Sequence, residues 1–335
     1  MLQQIMNRFP GISCAYVDAT GKVATEYYGV SDKEKNIPVD DNMIFPACSI
    51  SKFVTAICLM KLQEEDLLDI DAPVNDYLHK WNLLTLDGNR SDATIRGLMC
   101  HTAGIVDGED AFYGLRRDDP KVSLLDILEG RTPYNNRPVR AEKTQGKAFE
   151  YSDAGYCVLQ LLVQEITNRT FEDAVKEIMF DKLHLENTFF ASPDNLIHYE
   201  SVKEMATGYD EKGLPIVGKF PVCPDLASSG LWSTPKELLI IAKEFVAACS
   251  GRSDFLQEKS AREIATPVDR FPWTGLGVFI AGEDMLMTQG WGENGQCMMK
   301  LNCRTGVISV VMTNQNPGME QSESGVEWLV DKNLV

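Results

Sequence analysis

The chain reads as an α+β protein whose antiparallel sheet is assembled from both ends of the sequence, with a mostly helical stretch inserted between them. Three observations predict this. Short β-rich runs broken by glycine turns occupy the two ends, helical apolar periodicity fills the middle, and nowhere do strands and helices alternate as a doubly wound parallel sheet requires.

Residues 12–19 and 22–30 (ISCAYVDA and KVATEYYGV) flank Thr20-Gly21 and predict a hairpin. Residues 275–282, 284–291, 296–303 and 306–314 predict four more strands, punctuated by Gly282, Gly292, Gly295 and Gly306. Helices are predicted over 52–66, 94–100, 122–129, 155–168, 171–182 and 235–249. The last opens on Thr234 as N-cap, Pro235 at the first helical position and Glu237 to close a capping box. The expected organisation is a single catalytic unit over 1–335, its sheet portion from 1–50 and 250–335 and its helical portion from 51–249. Residues 105–121 and 131–148 form long polar loops, a length often tied to function.

With 32 basic against 49 acidic residues the 335-residue chain carries a net charge of −17, which repels polyanions and argues against nucleic acid and anionic membrane surfaces as partners. No apolar run approaches the roughly 20 residues of a membrane span, and residues 1–10 lack the apolar core of a secretory signal. Nine cysteines, an odd number with no C-x-x-C pair, read as reduced buried thiols. The expected location is cytoplasmic, or exported if a leader segment has been removed. The four histidines, His79, His101, His184 and His198, fall in no metal-ligand spacing, and no phosphate-binding glycine motif is present, so neither metal nor cofactor is expected.

Chemistry concentrates in three places. In Ser49-Ile50-Ser51-Lys52 the serine and lysine stand three residues apart, on one face of a helix at its first turn. A serine hydroxyl becomes a nucleophile when a base reaches it, and the apolar run Phe53 to Leu62 would bury Lys52 enough to serve. Ser233-Thr234-Pro235-Lys236 repeats the spacing but reads as a helix start, and the first copy read alone could also be a cap beside a solvated lysine. Cys48 neighbours Ser49 without a histidine or lysine of its own in an obvious motif. Second, Tyr151-Ser152-Asp153 precedes a helix and could bring a phenol and a carboxylate to one cavity, or simply cap that helix. Third, Gln289-Gly290-Trp291-Gly292-Glu293-Asn294-Gly295 closes a late strand, where glycines admit a substrate backbone or form an ordinary hairpin. His101 fits a structural hydrogen-bonding role better than that of a triad base.

The order of these pieces resembles that of the penicillin-recognising serine enzymes, S-x-x-K, [SY]-x-N and [KH]-[TSG]-G. Specifically, the chain resembles the β-lactamase-related serine hydrolases of the class C β-lactamase-like branch. Phe45 to Lys52 is similar to F-R-I-A-S-V-T-K, Thr94 to Gly104 to T-I-R-H-L-L-T-H-T-S-G, Phe149 to Tyr156 to F-x-Y-S-N-x-G-Y, and Ser229 to Thr234 to G-G-L-x-S-T. The resemblance implies a β-lactamase/transpeptidase-like fold. It also implies Ser49 as acylated nucleophile, Lys52 as proton acceptor, Tyr151 as the shuttle to the leaving group, and the N–H groups of Ser49 and Gly292 as oxyanion hole.

Two departures bear on substrate. Asp153 stands where the family has asparagine, and an anion there would favour charged Lys52. Gln289 replaces the lysine or histidine of the third motif, and Trp291 follows Gly290 where glycine is expected. Strand alternation puts Gln289 and Trp291 on one face, expected to meet the substrate, and a neutral glutamine cannot pair a carboxylate. The expected activity is hydrolysis of a small ester, amide or short peptide, as an esterase, peptidase or D-alanine carboxypeptidase rather than an efficient β-lactamase. The alternative is a catalytically weak penicillin- or peptide-binding protein. Nothing in the sequence predicts an oligomeric state.

Overall fold

The computed structural model describes residues 1–193 and 195–334. Its main sheet has seven strands, β1 (Gly11–Val17), β2 (Val23–Asp32), β3 (Ile37–Pro38), β4 (Phe279–Gly282), β5 (Met285–Gly292), β6 (Gly295–Asn302) and β7 (Ile308–Thr313), in the order β3-β2-β1-β7-β6-β5-β4. All neighbours are antiparallel. Strands from the two ends of the chain meet at the centre, where Ile12 to Val17 pair with Thr313 to Ile308. The α+β reading therefore holds.

Local chemistry makes the hairpins. The Asp18 carboxylate accepts hydrogen bonds from the Thr20 and Lys22 N–H groups at 2.9 and 3.0 Å, and Gly21 supplies the positive φ that turns the chain into β2. The strand expected over 275–282 begins only at Phe279. Gly277, at φ +70°, donates its N–H to the Met99 carbonyl, and a Cβ there would meet the Lys52 carbonyl oxygen at 2.6 Å, so this segment packs on the Ser51–Glu64 helix instead of extending β4.

Alternation along the central strands feeds two cores. Ala15, Val17, Met299, Val310 and Met312 join the larger one with the Ser51–Glu64 and Pro235–Cys249 helices, while Ile12, Cys14, Met298 and Val311 pack against Val326, Leu329 and Val330 of a C-terminal helix. That helix, Val326–Lys332, is missed by sequence reading, as is the short Leu2–Met6 helix.

The predicted middle helices are present with shifted ends. The 171–182 stretch divides into an α-helical turn, Phe171–Val175, and a wider π turn, Lys176–Phe180. Thr234 and Pro235 start their helix as expected, with Thr234 Oγ1 accepting from the Glu237 N–H at 3.2 Å. Glu237 does not close the box. Its carboxylate accepts instead from the Glu186 and Asn187 N–H groups and the Thr188 hydroxyl, tying the helix start to the loop before Phe189–Phe190. No helix among the described residues is long and apolar enough to cross a membrane.

Candidate active site

A second sheet of three short strands orders Phe45–Cys48, Leu231–Ser233 and Phe189–Phe190, and Ser49 stands at the end of the first. Cys48 is left-handed at φ +46°, a conformation that costs a non-glycine residue roughly 1–2 kcal/mol. Ser51 holds this turn by donating to the Cys48 carbonyl at 2.6 Å while accepting from the Leu231 N–H at 3.0 Å. From Met43 to Met60 every residue is buried except Ser49. The turn thus presents a single hydroxyl at the head of an otherwise buried helix.

Lys52, 2 % exposed, spends its three hydrogens on Ser49 Oγ at 3.1 Å, Asp153 Oδ1 at 2.6 Å and the Ser228 carbonyl at 3.1 Å. Its Nζ also lies 4.7 Å from the centre of the Tyr151 ring. Burial alone pulls the ammonium's pKa down, but the Asp153 carboxylate and Tyr151 outweigh burial, and the net pKa rises above the ordinary lysine value. Lys52 is therefore charged at neutral pH.

Tyr151 and Asp153 are delivered by one helix start. Ser152 caps the Asp153–Thr167 helix, accepting from the Gly155 N–H at 2.9 Å, so the cap reading of this triplet holds, and the same turn sets Asp153 against Lys52. Asp107 holds the cap from outside. Its Oδ1 accepts from the Ser152 hydroxyl and its Oδ2 from the Asp153 N–H, each at 2.6 Å. His101 is the structural residue expected: its Nδ1 accepts from the Ser152 N–H at 3.1 Å and its ring stacks on Tyr151 at 4.4 Å. Burial first, then the Lys52 charge, hold its pKa well below the ordinary histidine value, matching a neutral ring with an accepting Nδ1. Tyr151 is 41 % exposed as a residue, while its hydroxyl lies with Ser49 and Lys52, where loss of water raises its pKa against the pull of the lysine charge.

Two carboxyls that sequence reading missed complete this interior. Asp225 accepts from the Tyr134 hydroxyl at 2.6 Å and from the Ser228 hydroxyl, and so fixes the backbone whose carbonyl receives Lys52. Burial first and the Asp153 charge second push the Asp107 and Asp225 carboxyls each up to about 6. No motif flags either residue, because their loops acquire this role only through tertiary contact.

The cleft at Ser49 is walled by Pro46, Phe112, Tyr113, Trp232, Trp291 and Gly292, and its free space is only about 60 Å³. Among the described residues no lysine or arginine lines it. Glu293 does, but it is bound by Arg116 at 2.6 Å and by the Gly114 N–H at 2.7 Å. Gly290 and Gly292 face the Ser49 strand: a Cβ on Gly290 would sit 2.5 Å from the Ala47 carbonyl oxygen, and one on Gly292 2.8 Å from Cys48 Sγ. Gln289 is corrected. Flanked by buried Thr288 and Gly290, it points outward, is exposed, and is absent from the cleft wall, whereas Trp291 on the same face reaches the cleft from the strand end. A larger depression of about 860 Å³ beside Arg96, Arg262 and Glu263 includes neither Ser49 nor Lys52 in its lining. Among the described residues no group of three or more histidines, cysteines or acids is placed to hold a metal ion.

The family model described as Beta-lactamase matches residues 1–331. The chain belongs to the Beta-lactamase family. This family member is similar to Protein flp of Staphylococcus aureus strain N315, with 25% identity over 243 residues that cover 70% of this chain and 43% of that protein. It is similar also to a β-lactamase of Providencia stuartii, with 26% identity over 235 residues, 69% of this chain and 54% of that one. The chain spans about half the length of these curated relatives. Among solved structures, the octameric penicillin-binding protein homologue from Pyrococcus abyssi superposes with a TM-score of 0.77 at 20% identity, covering 99% of this chain and 77% of that one. The D-amino acid amidase from Ochrobactrum anthropi SV3 complexed with L-phenylalanine amide does so with a TM-score of 0.78 at 18% identity, over 98% and 94%. At such identities the likeness is one of fold.

Proposed function

We propose that this family member is a serine hydrolase that forms an acyl-enzyme on Ser49 and acts on a small ester or amide. The observation that carries the reading is the 3.1 Å contact from Lys52 Nζ to Ser49 Oγ at the one partly exposed point of a buried segment. Ser49 Oγ attacks the acyl carbon, and its proton passes through Lys52 and Tyr151 to the departing alcohol or amine. The N–H groups of Ser49 and Gly292 serve as oxyanion donors, and water then frees the acid from Ser49. The catalytic unit occupies 1–335, its sheet portion over 1–50 and 250–335 and its helical portion over 51–249. An aromatic cleft without a basic wall residue supports a neutral acyl group, and the fold shared with a D-amino acid amidase supports amides among the candidates.

For Lys52 to take the serine proton it must first lose one, and Asp153, at 2.6 Å, is the acceptor in place. The same ion pair favours a second reading, a weak catalyst that binds its ligand more than it turns it over. Incubation with a fluorophosphonate and with a penicillin, read by intact mass, separates the two. Stoichiometric adducts on wild type that vanish in Ser49→Ala support the hydrolase, and an adduct retained in Ser49→Ala places the nucleophile elsewhere. A panel of p-nitrophenyl esters, D-amino-acid amides and nitrocefin then ranks the acyl donors.

A further inference from the structure

Of the nine cysteines, seven are buried, and only Cys223 and Cys303 are partly exposed. Cys303 follows β6 directly and is fixed by its N–H to the Asp284 carbonyl at 2.8 Å. Its Sγ lies 3.3 Å from Sγ of Cys249, the last residue of the Pro235–Cys249 helix. A disulfide bond is about 2.05 Å long, so a shift of little more than an ångström would join them. We propose that Cys249 and Cys303 are a reversible disulfide site, closed by exchange with a low-molecular-weight disulfide.

The two sulfurs differ in access and in charge. Cys303 is the reachable one, and the S–H of Cys249 donates to it, which together with Arg262 favours its thiolate against burial and Asp284. The Cys303 thiolate attacks one sulfur of the small disulfide, forming a mixed disulfide and expelling a thiolate that takes up a proton. Cys249 then loses its proton, attacks Cys303 Sγ and expels the second small thiol. Two protein thiols are oxidised, and one small disulfide is reduced to two thiols. The other adjoining pair, Cys48 and Cys297, is 5 % and 0 % exposed and offers no such entry.

The bond would close a loop from 249 to 303 that contains the Glu258–Ile264 helix, β4, β5 and β6. Loop closure restricts the unfolded chain, so the oxidised form should melt several degrees higher. The site is independent of the proposed hydrolase activity. Its test is to equilibrate the purified protein with oxidised glutathione or with dithiothreitol, alkylate in denaturant, map the peptides and record thermal melts. The expected result is a peptide linking Cys249 to Cys303, a mass lower by two hydrogens, a raised melting temperature and reversal by reductant. Cys303→Ser and Cys249→Ser should each fold, lose the link and lose the rise in melting temperature. The proposal fails if both thiols alkylate fully after oxidation, if the link forms between other cysteines, or if Cys303 joins two chains instead.

Discussion

Asp153 Oδ1 sits closer to Lys52 Nζ, at 2.6 Å, than Ser49 Oγ does, at 3.1 Å. The carboxylate, not the serine hydroxyl, holds the lysine's shortest hydrogen bond and favours its charged form.

Asp153→Asn tests that relationship. On the proposed mechanism neutral Lys52 is the working form, so the rate climbs as pH rises through its raised pKa. An amide removes the anion and lowers that pKa, moving the acid limb of the kcat/KM profile down by about 1–3 pH units. Stability moves the other way. A raised lysine pKa contributes stability that is complete below the ordinary lysine value and is lost above it, so the variant should melt lower at neutral pH. An unmoved acid limb would show the two groups to be uncoupled.

Asp225→Asn should flatten the pH dependence of stability. The buried carboxyl, pushed up to about 6, keeps a proton that the unfolded chain has already released above its ordinary 3.8. Its contribution is therefore full at low pH and is lost as pH rises through about 6, on the order of 2–3 kcal/mol. Melting curves of both proteins from pH 4 to 7 measure the difference. Parallel curves would mean that Asp225 titrates normally.

Gly290→Ala should cost about 1–3 kcal/mol and reduce labelling of Ser49. The added Cβ would lie 2.4 Å from Cys297 Sγ, 2.5 Å from the Ala47 carbonyl oxygen and 2.8 Å from Cys48 Cβ. The Ala47 backbone belongs to the strand that carries Ser49, so adding Cys297→Ala should not rescue it. A wild-type melting temperature and labelling rate would refute the close approach.

A methyl ester should beat the matching free carboxylate in kcat/KM by roughly tenfold or more, because no cation in the cleft wall compensates the carboxylate's lost water. Gln289→Lys should leave that ratio unchanged, since the side chain points away. A ratio that shifts toward the free acid in this variant would put position 289 inside the cleft.

The strands were legible because glycines punctuate them, and the Ser49–Lys52 pair because three residues on a helix start fix its geometry before any tertiary contact forms. Tyr151 and Asp153 were legible from motif order. Asp107 and Asp225 were not, since Asp107 gains its role from burial against a distant helix start and Asp225, at the head of the short Leu226–Ser229 helix, from the hydroxyl of distant Tyr134. Gln289 was misplaced for a related reason: alternation assigns two faces to a strand but does not say which one the cleft uses. Glu237 shows the same limit, its carboxylate drawn from its own helix to three donors about fifty residues upstream.

The pairing of β1 with β7 joins Ile12 to Thr313. During synthesis the first strand emerges from the ribosome some three hundred residues ahead of its central neighbour, and loop closure over that span is an entropic cost that local contacts do not repay. Until then the edge of β1 that β7 covers in the folded sheet has no partner strand. Ser49 and Lys52 are made early, but Gly292 and the strand behind it arrive late. The order of translation therefore makes assembly of the cleft one of the last events of folding.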